Sequence, residues 1–371
     1  MTTGGAQNSS LAGSRGEVRK VPAPAGFGFW RDSWRRFRRQ KLPLAALCFV
    51  VSLILVALLA PFIVGTRPIV CLYKGRLYFP VLEYYYRGGE NAVFFRDGFQ
   101  RVYPAHLKEH DPQSWAVWPL VYQDPYRPVA AGEWPGDPGN KSRQPPSGRH
   151  IFGTDEQRRD VFARVVFGTR VAVLVGFVSM AIAGVLGITL GAMAGFFGGK
   201  IDMVISRAIE LMMSVPTLIL VLALFSVIDR PQVYHLMVII GLTRWESIAR
   251  YTRGEVLRIK ECEFILAARA LGARWHRILF RHILPNALAP ALVAITFGIG
   301  SAVLIESALS FLGFGVPRTT PSWGGVLAEW QGDRSSWWLV VFPGLAVFLT
   351  VLAYNLMGDG VQEATDPRRR T

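Results

Sequence analysis

The stretch HLKEH, His106–His110, carries the H-x-x-E-H spacing of a group of zinc peptidases. That chemistry needs both histidines on a helix inside a catalytic domain, with a further ligand nearby. Pro104 and Pro112 flank the stretch here, leaving at most two turns of helix and no apolar stripe. A solvated polar turn is the expected structure. Gly198, Gly199 and Lys200 suggest a phosphate loop only at first sight, because no Ser or Thr follows the lysine and the upstream glycine is missing. The chain is not expected to bind ATP itself. Cys48, Cys71 and Cys262 fall in three separate regions, so no intrachain disulfide is expected. No residues converge as a catalytic group, and no catalytic residue, metal or cofactor is expected.

The elements that dominate the chain are apolar. Its 371 residues are 51% hydrophobic, with mean hydropathy +0.28 and formal net charge +15, a combination that soluble domains rarely show. Mostly apolar runs of about 18 residues or more occur near Leu42–Val64, Val171–Gly195, Leu211–Ile228, Val233–Ile248, Ala287–Glu306 and Trp337–Met357. The expectation is an all-α polytopic membrane protein with six transmembrane helices and a β-containing outer insert between the first two. Residues 1–41 form a basic N-terminal segment, 42–64 the first span, and 65–170 the insert. Residues 171–357 form a five-helix core with a cytoplasmic loop at about 250–285, and 358–371 the tail.

Lys and Arg crowd three places: Arg31–Lys41, Arg250–Arg281 and Arg368–Arg370. The positive-inside rule therefore puts both termini in the cytoplasm of a cell's inner (plasma) membrane. The cations hug membrane ends instead of building one basic face with interleaved aromatics, which argues against nucleic-acid binding. WRDSWRRFRRQK (Trp30–Lys41) suits a helix in the anionic headgroup layer, so membrane lipid is an expected partner. The Gly/Ser/Ala/Pro-rich opening, Met1–Phe29, reads as disordered.

In the insert, RPIVCLYKGRLYFPVLEYY alternates apolar and polar residues around Lys74–Gly75 and predicts a β-hairpin. Ala130–Pro146 reads as loop. Gly187, Gly191 and Gly195 recur at four-residue spacing, which lets a second helix approach closely within lipid. Glu210 and Glu306 sit at span ends and are costly toward lipid, so both are candidates for the translocation path. Structural pairing with a neighbouring arginine suits Glu210 best; for Glu306, pore lining and structure stay open.

Phe264, Ala268, Leu271, Trp275 and Ile278 follow helical spacing in the cytoplasmic loop. Ala267, Ala270 and Gly272 add small surfaces, Glu261, Glu263, Arg269, Arg274 and Arg277 a charged rim, and Pro285 is expected to end the helix before the next span. AARALGARWHRILFRHILPNALAP then resembles the EAA loop of permease subunits in binding-protein-dependent ABC importers. Ala267, Ala268, Gly272, Ile283, Leu284 and Pro285 fit the pattern, while Leu266 replaces its leading glutamate. IFGTDEQRRDVFARVVFGTRVAVLVG, GFFGGKIDMVISRAIELMMSVPTLIL, ESALSFLGFGVPRTTPSWG and FPGLAVFLTVLAYNLMGDGVQEATDP look like the second permease of dipeptide/oligopeptide importers. The insert is similar to the oligopeptide/microcin C (Yej-type) branch.

The resemblance implies one half of a heteromeric pore with a second homologous permease, two ABC ATPase subunits and an external binding protein that delivers peptides. ATP hydrolysis would belong to the ATPases. Phe264, Leu266, Ala267, Ala268, Arg269, Ala270, Leu271, Gly272 and Ala273 would couple to them, within a docking helix spanning Cys262–Arg281. Relatives also carry oligosaccharides or nickel complexes. A self-contained secondary transporter would show internal repeats, and none is evident.

Overall fold

The computed structural model describes residues 27–85 and 103–365. The opening Gly/Ser-rich stretch, the middle of the insert and the basic end Arg368–Arg370 lie outside the described residues. Helix α1 (Phe27–Phe37) leads into the first span, α2 (Lys41–Ile63). The outer lobe follows. Strands β1 (Val70–Tyr73) and β2 (Arg76–Tyr78) form the expected hairpin, with Lys74 at φ 48° and Gly75 at φ 76°. Positive φ at both loop residues matches the right-handed twist of the strands. After α3 (Tyr103–His110), which bears the histidine pair, β3 (Trp115–Val117) adds antiparallel to β1, giving the order β2-β1-β3. Cys71, Tyr73 and Leu107 fill the small core between sheet and helix.

The second span, α4 (Val161–Phe197), starts ten residues before the expected Val171. The Asp160 carboxylate caps it by accepting from the Ala163 amide, so the helix begins in the polar lobe and includes Arg164 and Arg170. The third expected span, Leu211–Ile228, is a bent pair: α5 (Gly199–Ser214) and α6 (Thr217–Ser226) meet at 89°. Pro216 has no amide to donate and pushes Val215 to φ −102°, ψ 129°, which breaks the helix. Glu210 thus lies on α5 and not at the start of a continuous span.

Four helices are long and apolar enough to cross a membrane singly, or up to five if the bent pair counts as one span. The fourth expected span is shared between α7 (Val233–Thr243) and α8 (Trp245–Lys260). Their order along α4 is unambiguous. Gly241 meets Ser179 and Ile182, while Gly187 meets Trp245 and Ile248, Gly191 meets Ala249 and Thr252, and Gly195 meets Arg253 and Val256. The pair therefore runs parallel to α4 from Ser179 to Gly195, about 24 Å at about 1.5 Å per residue.

The loop expected in the cytoplasm holds α9 (Glu263–Ala270) and α10 (Trp275–Arg277). A π-helical turn, Ile278–Ile283, joins α10 to α11 (Leu284–Phe311), forming one 37-residue rod. Pro285 therefore does not end the cytoplasmic helix. The wider turn, in which the Leu284 amide donates to Leu279, accommodates the ring and missing donor of the proline that follows. A short outer helix, α12 (Trp323–Glu329), precedes the last span, α13 (Trp338–Thr365). Buried side chains stack along the bundle in three main clusters. The outer one joins α4, α6, α7 and α11, and the middle one α2, α4, α8, α11 and α13. The third unites the end of α4 with α8, α9 and the π turn.

Candidate coupling surface

Helix α9 ends in a glycine motif. The Ala273 amide donates to Ala268 and the Gly272 amide to Arg269, with Gly272 at φ 78°. This is the Schellman pattern, in which only glycine enters the left-handed region without strain. The turn corrects the expected single helix over Cys262–Arg281: α9 and α10 are separate, and the apolar stripe does not continue across them. Leu271 is 88% exposed, and Leu266 and Trp275 are about half exposed. The anchoring residues are instead Ile265, Ile278, Leu279 and Ile283, buried against Ala192, Phe196, Val256 and Ile259. Phe264 and Ala273 pack partly on the same cluster.

What remains outward is a compact surface. Leu266, Ala267, Arg269, Ala270, Leu271 and Gly272 are exposed, with Ala268 half-buried beside them. Arg269, Arg274, Arg277 and Arg281 are exposed on the same segment, as are Glu261 and Glu263, and none of them has an ion pair among the described residues. An apolar knob of this kind, with unpaired charges of both signs on its segment, suits a cleft with apolar walls and a charged edge.

The two carboxylates lie in opposite settings. Glu210 is 61% exposed at its side chain and pairs with Arg207 at 2.6 Å along the same helix, the arrangement of a local ion pair. Glu306 is 1% exposed, deep in α11, and accepts from Ser307 at 3.2 Å and Ser310 at 2.8 Å. The hydroxyls satisfy it inside the chain. Gly187, Gly191 and Gly195 all face α8: a Cβ at Gly191 would lie 2.4 Å from the Ala249 carbonyl oxygen. Among the described residues no cluster of three metal-ligating side chains occurs.

A polar network that local sequence patterns do not reveal closes the outer end of α4. Arg159 and Arg164 both reach Asp155, at 2.7 and 2.6 Å, and both reach Glu329 of α12, at 2.8 and 2.6 Å. Two cations and two carboxylates balance, which burial demands. The partners are up to 170 residues apart, so spacing carries no signal for them. Asp160 also pairs with His150 at 2.8 Å. Beside Arg159, Tyr126, Gln157, Arg318 and Thr319 line an open pocket of about 390 Å³.

Residues 187–371 match the family model of the binding-protein-dependent transport system inner membrane component. Residues 28–69 match that of the N-terminal TM domain of oligopeptide transport permease C. The dipeptide transport system permease protein DppC of Alkalihalophilus pseudofirmus is 40% identical over 63% of this chain and 77% of its own. The peptidoglycan transport system permease protein YejE of Agrobacterium fabrum is 30% identical over 91% of this chain and 92% of its own. That second alignment takes in the outer lobe. Among solved structures, the MetNI methionine ABC transporter in inward-facing conformations aligns with TM-score 0.47 at 19% identity, over 55% of this chain and 96% of that one.

Proposed function

Because the chain belongs to the family of binding-protein-dependent transport system inner membrane components, we propose that it is the peptide-carrying permease of an ATP-driven importer. The α9 surface docks in a cleft of an ATPase subunit. A second homologous permease completes the pore, and an external binding protein delivers the cargo. Both termini face the cytoplasm on this reading, in keeping with the crowding of Lys and Arg at one set of membrane ends.

One observation carries the reading: an apolar knob at Leu271, held on a glycine cap on a segment of exposed charges, is anchored through Ile265 to the ends of α4 and α8. Unpartnered apolar surface on a cytoplasmic loop marks a protein contact, and its anchoring lets a push travel into the spans. Dipeptides are the cargo named for the relative DppC, and peptidoglycan is the one named for YejE. The test is purification of the complex from its native membrane, followed by reconstitution with its binding protein. The expected results are co-purification of ATPase subunits and ATP-dependent uptake of labelled peptide, outcompeted by peptide and not by oligosaccharide or nickel complexes. Uptake without ATP, or no associated ATPase, defeats the proposal.

A further inference from the structure

Helix α5 is poorly held. Of its residues only Ile209 is buried, while Ile201, Met203, Val204 and Leu211 stand exposed. Its cytoplasmic start hangs on Gly198 and Gly199, both at positive φ with open space around them, and its other end stops at the 89° break. Against this loose setting stands one firm polar tie. Asp202, in the first turn of α5, receives Arg253 of α8 through both carboxylate oxygens: Nε to Oδ1 at 2.5 Å and Nη2 to Oδ2 at 2.8 Å. Ser206 donates to the same Oδ1 at 3.2 Å, fixing the carboxylate's plane. A bidentate guanidinium–carboxylate pair has direction as well as strength, so it transmits rotation and not only pull.

The other end of the tie is rigid. At Gly187, Gly191 and Gly195, α8 approaches α4 too closely for any Cβ to fit without displacement. Lys260, the last residue of α8, donates to the Phe196 carbonyl at 2.6 Å. Val256 and Ile259 bury in the same cluster as Ile265 of α9. A displacement at the α9 surface is therefore passed to α8 as to a solid body, and Arg253 is the polar group by which α8 grips α5.

We propose that the Asp202–Arg253 pair is the link through which movement of the coupling surface reaches the bent α5–α6 span, making both residues positioning residues for transport. The inference rests on the importer reading but concerns a contact remote from the docking face. It predicts that breaking the pair uncouples: the ATPases still bind and still hydrolyse, yet the cargo stays outside.

The experiment compares Asp202→Asn, Arg253→Gln and the exchanged pair Asp202→Arg with Arg253→Asp in the reconstituted complex. The singles should lose about tenfold or more in uptake per ATP hydrolysed, with ATPase co-purification unchanged, and the exchange should recover most of it, as a charge-assisted bidentate contact requires. A nitroxide pair at Met203 and Gly254, in chains with the native cysteines replaced, supplies a second measurement. Its distance distribution should be narrow with the native pair and broad with Asp202→Asn, whether or not peptide is transported. A wild-type complex that takes up no peptide overturns the importer reading and leaves the distance measurement to judge the link. Singles that transport as wild type, or a distance distribution equally narrow without the pair, overturn the link alone.

Discussion

Replacing Gly191 by alanine tests how tightly α4 and α8 fit together. The added Cβ would lie 2.4 Å from the Ala249 carbonyl oxygen, 2.9 Å from Thr252 Cβ and 3.0 Å from Ala249 Cα. Ordinary contact starts near 3.4 Å, so α8 must retreat by about 1 Å. The obstructing atoms are mostly backbone and cannot rotate away. Retreat is opposed one turn in each direction, where Gly187 and Gly195 keep α8 just as close.

Overpacking of this kind costs about 1–3 kcal/mol, against which alanine regains up to about 1 kcal/mol of helix propensity. A net loss of about 1–2 kcal/mol is expected. Gly254→Ala is the control. It lies on α8 itself, exposed, with no atom within 4 Å of the new Cβ, and only the propensity gain should remain. The assay is thermal unfolding of the purified chain in detergent, followed by loss of the monodisperse peak. Gly191→Ala should melt below wild type and Gly254→Ala at or above it. A Gly191→Ala chain as stable as Gly254→Ala would refute the close-packing argument.

Gly272→Ala should loosen the end of α9 by about 1 kcal/mol through backbone strain alone, because the position has open space around it. Amide exchange at Leu271–Ala273 should quicken with the rest of the chain unchanged, and equal protection would count against the cap. Cys71 is fully buried in the outer lobe and desolvation pushes its thiol up to about 12, so at neutral pH it is both covered and protonated. A membrane-impermeant thiol reagent should therefore miss Cys71 in folded chains and label it after denaturation. The same reagent should reach Cys262 only in inside-out vesicles. Labelling of Cys262 in intact cells would reverse the orientation.

Much of this architecture was legible because its signals are local. The hairpin at Lys74–Gly75 follows from two turn residues and alternation, and the spans follow from apolar runs. The glycine ladder on α4 was legible as a contact but not its partner, since spacing names one helix only. Readings failed where a backbone detail overrides periodicity, and the third expected span, Leu211–Ile228, breaks at Pro216 in this way. The single helix expected over Cys262–Arg281 breaks because Gly272 turns the chain in the left-handed region, which leaves Leu271 outward. Pro285 has the look of a helix end, yet a π turn absorbs it. The Arg159–Arg164–Asp155–Glu329 network stayed hidden because its members meet only after α12 folds back on the start of α4.

These attachments suggest which part of the chain is free to move. Helix α4 is a strut on which α2, α7, α8 and α11 all pack. Its outer end is held by the four-charge network and by the Trp323 indole donating to the Val165 carbonyl at 2.9 Å. Removing one member of such a network leaves a buried charge uncompensated, which costs several kcal/mol, so the outer end is expected to stay assembled through a transport cycle. Its inner end is fixed to α8 by the glycines. Motion delivered at α9 then has few routes left. Helix α5, with one buried residue, a glycine hinge at one end, a proline break at the other and a bidentate tie to α8, is the element left to take it up.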